Sequence, residues 1–176
     1  MKSSPDPSDP IDISAENLLN FAIDRQDLKI ILDSLPQNAT IDRGKVEYEI
    51  QILKILTVGW ALSFFLESAA AKTMIAESYW TKVQAFSQSL SLASSASLNR
   101  NFDYFSILKE RLDVYVHALD RHTEKEDPTV VIGPIFARMC EDGDNPLIVL
   151  AGSKMFKHTL SSVKEYLEAE ESTPAV

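Results

Sequence analysis

Glycine is scarce in this chain, with five residues in 176, and between Gly59 and Gly133 the only residue of either the glycine or the proline type is Pro128. Asn-Gly and Asp-Gly turns are absent from that stretch. A sheet has no punctuation there, and helices are what such a sequence is expected to make. Cysteine occurs once, which excludes an internal disulfide. Cys140 sits in an apolar run without a neighbouring His or Lys to activate it, so it reads as a small core residue rather than a nucleophile. Histidine occurs three times and never in a His-x-x-x-His arrangement.

A basic surplus is also missing. Seventeen Lys and Arg against 26 Asp and Glu give a formal net charge of -9, and nucleic acid and anionic membrane are poor partners for such a surface, because both are bound through clustered cations. The longest apolar run, Ile55 to Leu66, falls well short of the roughly 20 residues that span a bilayer. Met1 to Pro10 is polar, holds three prolines and lacks the apolar centre of a secretory signal, which points to the cytoplasm.

What the chain does have is apolar residues, 45% of the total, at helical spacing. Its length suits one domain. The expected organisation is a flexible segment over 1–12, a helical domain over 13–168 and a disordered acidic tail over 169–176. The fold class is all-α, a bundle of about six to seven helices around a long hydrophobic central one.

Ser14 is the expected N-cap of the first helix, which runs through Leu18, Leu19 and Ala22. Leu28, Ile31, Leu32 and Leu35 mark a second short piece ended by Pro36. From about Asp42, Val46, Ile50, Leu53, Trp60 and Phe64 repeat along one face, with Glu47, Gln51 and Lys54 opposite. One turn further on that opposite face becomes Val58, Ala61 and Phe65. A helix apolar on every side is either central to its domain or covered by another chain.

The apolar spacing continues through Ile75, Tyr79, Val83, Phe86 and Leu90, which as one helix would be too long for a domain near ~16 Å in radius of gyration. A bend is therefore expected between Ser68 and Thr73. Ser94 to Asn101 reads as a polar loop. Phe105, Leu108, Leu112, Tyr115 and Leu119 then form the clearest amphipathic helix. Asp127-Pro128 and Asn145-Pro146 are cap and first-turn pairs that open two more. Thr129 to Cys140 between them is the second segment apolar on all sides, and Gly133-Pro134 should kink or restart it.

Few residues suggest chemistry. Asp113 and His117 at i, i+4 supply two metal ligands, but no further His or Glu completes a site. Ala71-Lys72-Thr73 lacks the glycines of a phosphate loop. Ser161 and Lys164 lack the companion elements of Ser-x-x-Lys hydrolases. Asp142-Gly143-Asp144-Asn145 lacks the ligand spacing of a calcium loop and reads as a helix-helix turn. Glu67 and Glu77, beside the bend, are the remaining carboxylates that could serve acid-base work if buried. No cofactor is implied.

The aromatic set Trp60, Phe64, Phe65, Tyr79 and Trp80 carries the functional reading. Trp60 and Tyr79 fit a core face, whereas Phe65 falls on the face that should meet water and Trp80 lies beside a core position; these two could anchor a partner. The leading expectation is a non-enzymatic helical interaction or structural module, homo-oligomeric or paired with another helical protein. Its candidate interface is Val58, Trp60, Ala61, Phe64, Phe65 and Trp80, together with Ile132, Phe136 and Met139 of the second apolar segment. The alternative is a ligand-binding or sensory bundle with an aromatic-lined apolar pocket. An enzyme using buried carboxylates ranks third.

Overall fold

The computed structural model describes residues 9–37, 40–65, 70–98, 101–121 and 127–172. These form seven helices and no strand: α1 Pro10–Ile23, α2 Gln26–Asp33, α3 Arg43–Phe65, α4 Ala70–Leu98, α5 Tyr104–Asp120, α6 Thr129–Met139 and α7 Pro146–Ser172. The all-α class is as expected.

α3 touches each of the other six helices, and that position explains its composition. Ile50, Ile52, Leu53, Ile55, Leu56, Val58, Ala61 and Leu62 point in all directions around it and every one is buried. A helix without a polar stripe is stable only if neighbours surround it, and here α1, α4, α5, α6 and α7 do so. At about 1.5–3 kcal/mol for each large aliphatic side chain withdrawn from water, α3 is the main source of cohesion.

Sequence signals set most helix ends. Asp42 Oδ1 accepts the Lys45 amide proton at the start of α3, Asp103 Oδ1 accepts that of Ser106 in α5, and Asn145 Oδ1 accepts that of Leu147 in α7. Asp127 Oδ1 takes both the amide and the hydroxyl protons of Thr129 as α6 begins. α6 ends in a Schellman-like turn: the Asp142 amide donates to the Ala137 carbonyl, and Glu141 adopts the left-handed conformation with φ 60°.

Three local expectations are corrected. α1 starts at Pro10, capped by Asp9, so Ser14 lies inside the helix, where its hydroxyl donates to Glu170 of α7. Ser94 to Leu98 continues α4 instead of forming a loop. Serines along this helix turn their hydroxyls back on carbonyls one turn earlier, as Ser91 does to Ser87 and Ser97 to Ala93, which lets them persist in a helix interior. Gly133-Pro134 does not restart a helix: α6 is one helix from Thr129 to Met139, with Pro134 inside it on the exposed side. α3 and α4 are separate helices; residues 66–69, where the expected bend begins, lie outside the described residues.

Glycines permit two close helix contacts. A Cβ on Gly152 of α7 would lie 2.5 Å from Phe136 Cδ1 of α6, and one on Gly133 would lie 2.7 Å from the Val149 carbonyl oxygen. A Cβ on Gly59 of α3 would overlap the indole of Trp80 from α4. Trp80 is thus seated against α3.

Candidate functional site

The candidate interface divides into two groups. Val58, Ala61, Ile132 and Phe136 are buried by this chain's own helices, so no second chain is needed to cover the two apolar segments, and these four are withdrawn from the candidate surface. Trp60, Phe65, Trp80 and Met139 are half-buried, and Phe64 is 56% exposed. Phe64 stacks on Trp60 with ring centres 5.0 Å apart, and Trp60 meets Phe156 of α7 at 5.6 Å. Phe65 meets Phe64 edge-on at 5.3 Å. An aromatic column therefore runs from the core to the surface at the end of α3.

The carboxylates expected to matter are not those that the fold buries. Glu77 is exposed, and Glu67 lies outside the described residues. Glu49 has 0% of its side chain exposed and receives both Nε and Nη2 of Arg111 at 2.9 and 2.8 Å. The Tyr115 hydroxyl is buried without a hydrogen-bond partner among the described residues. Burial first, then the Glu49 charge, pushes the Cys140 thiol up to about 12, so Cys140 is an inert core thiol as read from the sequence.

Lys54, expected on the polar face of α3, also has 0% of its side chain exposed. Its ammonium donates to Asp27 Oδ2 at 2.8 Å and to the Asp24 carbonyl at 3.1 Å, and lies 4.3 Å from the Phe21 ring centre. All three contacts come from the α1–α2 elbow, which Lys54 pins to α3. Asp27 also lies 3.3 Å from His158 Nε2 of α7. These groups knit helices together and face no cleft. Asp113 and His117 meet through the Asp113 carbonyl, 2.8 Å from Nδ1, and no group of three metal-ligating side chains occurs among the described residues.

Two concavities stand out. A cleft of about 560 Å³ opens between the α1–α2 elbow, α3, α4 and the start of α5. The half-buried rings of Tyr48, Phe86 and Phe102 and the side chain of Leu90 stand around buried Tyr104 and Leu28. Tyr48 and Phe86 each meet Tyr104 edge-on at 6.4 Å, so the aromatic floor is one continuous cluster. The Arg25–Glu47 ion pair closes one rim. The Tyr104 hydroxyl makes no hydrogen bond among the described residues, and burial holds it protonated by raising its pKa.

A second cleft, of about 510 Å³, lies between α5 and α6 and shares no lining residue with the first. By contrast, the gap beside Trp60, Tyr115 and Phe156 is only about 20 Å³, room for a single water. The aromatics singled out from the sequence are thus spent largely on packing. Those lining the cleft at Tyr104 come from α3, α4, α5 and the segment before α5, and share no helical repeat that a sequence reading could follow.

Compared with known protein families, curated proteins and solved structures, the chain shows no match. No described helix is long and apolar enough to cross a membrane.

Proposed function

We propose that this chain is a ligand-binding helical bundle that takes a small, largely apolar molecule into the cleft floored by Tyr104. The supporting observation is the cluster Tyr48, Phe86, Phe102 and Tyr104 gathered in one concavity of about 560 Å³. Ligand sites commonly measure about 300–1,000 Å³ and combine apolar walls with a few polar points. The Arg25–Glu47 ion pair at one rim supplies such points. Titration with the neutral probe N-phenyl-1-naphthylamine tests this: one saturable site is expected, weakened by Leu90→Glu at the half-buried wall. Absence of saturable binding, or binding indifferent to Leu90→Glu in a variant with unchanged circular dichroism, contradicts the reading. Native mass spectrometry of protein purified without denaturant should then show a co-purified small molecule.

A second reading, self-association through the end of α3, is favoured by Phe64 alone. A large ring 56% exposed yet stacked rigidly on Trp60 has the character of an interface anchor. Light scattering at micromolar concentration would show a dimer that Phe64→Glu dissociates; a strict monomer removes this reading.

A further inference from the structure

Among the five arginines in the described residues, three are committed. Arg25 pairs with Glu47, Arg111 with Glu49, and Arg43 donates to the Leu32 and Leu35 carbonyls. Arg121 and Arg138 have no ion-pair or hydrogen-bond partner among the described residues, and both line the cleft between α5 and α6. They approach it from different walls, Arg121 from the C-cap of α5 and Arg138 from the last turn of α6. Two guanidinium groups without a partner among the described residues, in one concavity, are unusual on a protein of net charge -9, whose overall field disfavours anions elsewhere.

His117 stands on the α5 wall with Arg121. Its Nδ1 donates to the Asp113 carbonyl at 2.8 Å, which holds the ring on this wall as a local reporter of the cleft. Between the charged groups the cleft is apolar, with Val114, Ile135 and Met139 on its surface. The Asp113 carboxylate is the one anionic group in the lining, and it tempers the positive field.

We propose that this cleft binds an oxyanion borne on an apolar stem, a medium-chain carboxylate or an alkyl phosphate. Guanidinium forks match the geometry of either oxyanion, and arginines with no carboxylate partner among the described residues need surrender none of those to bind one. The stem lies against Val114, Ile135 and Met139.

The test is calorimetric titration of the full chain with sodium octanoate, octyl phosphate, inorganic phosphate and octyltrimethylammonium, with the His117 ring proton signals as a local reporter. Saturable binding of octanoate or octyl phosphate that shifts His117 is expected, and the tighter of the two assigns the headgroup. Arg121→Gln and Arg138→Gln should each weaken it about tenfold, the loss of roughly one charge-assisted hydrogen bond. Asp113→Asn should strengthen it, a gain that a merely greasy groove would not produce. All three substituted positions are exposed, and circular dichroism checks that the variants fold. The proposal is overturned if neither amphiphile binds, if the cationic amphiphile binds as tightly, if inorganic phosphate matches octyl phosphate, or if the double arginine variant binds unchanged.

Discussion

Arg111→Ala offers the sharpest test of how the fold is held. Glu49 is fully buried and its two oxygens receive Arg111 at 2.9 and 2.8 Å, with Lys45 Nζ more distant at 3.9 Å. Removing the guanidinium strands a carboxylate in the interior, which for a buried pair costs about 3–5 kcal/mol. Two features lower that figure here: the Arg111 side chain is 21% exposed, so water screens the pair, and Lys45 remains. The expected loss is roughly 2–3 kcal/mol, or about 4–12 °C in Tm for a domain of this size. Urea unfolding followed by circular dichroism should show a lower midpoint with an unchanged slope. The double variant Glu49→Leu with Arg111→Leu should recover most of the loss, because no charge is then stranded. A single variant within 0.5 kcal/mol of the parent, about the effect of an ordinary surface change, or a double variant no better than the single, refutes the reasoning.

Three further outcomes are expected. Gly152→Ala drives a methyl into Phe136; overpacking costs about 1–3 kcal/mol and outweighs a helix-propensity gain of about 1 kcal/mol. Gly44→Ala, where the added methyl meets only Asp42 Oδ1 at 3.5 Å, should stabilise, and equal effects at both positions would contradict the close α6–α7 approach. Burial alone would raise the Asp27 carboxyl, but the Lys54 hydrogen bond and charge, followed by His158, hold it below the ordinary 3.8. Its stabilising contribution is therefore complete above about pH 4 and lost as pH falls through the depressed value. Asp27→Asn should flatten the acid limb of a Tm-against-pH curve, and an unchanged limb would exclude this linkage. Cys140, with its thiol pushed up to about 12, should resist a thiol-specific reagent at pH 8 until denaturant is added; immediate labelling of the native protein would mean that α6 opens readily.

The helices were legible where period and caps agree. Leu108 and Tyr115 are buried on α5 as their spacing implies, and Asn145-Pro146 opens α7. The Asp9-Pro10 cap is masked in the sequence by Ser14, four residues beyond the proline, which satisfies the same cap preference. Lys54 was assigned to water because periodicity treats every lysine as solvent-facing; its partners Asp24 and Asp27 lie in another helix region, 30 and 27 residues away in sequence. The apolar run through Val58 and Ala61 signalled complete coverage, but a pattern along one helix carries no information on whether the cover belongs to the same chain. The cleft at Tyr104 is invisible in the sequence for a related reason: Tyr48, Phe86, Phe102 and Tyr104 become neighbours only once α3, α4 and α5 have packed.

That self-coverage is the claim on which the rest stands, since it turns attention from the two apolar segments to the clefts. Hydrogen exchange of the peptides spanning Leu53–Leu62 and Val131–Ala137, measured at nanomolar and at high micromolar protein, tests it directly. Slow exchange at both concentrations, with the chain monomeric at the lower one, is the expected result. Protection that appears only at the higher concentration would mean that a second chain supplies the cover.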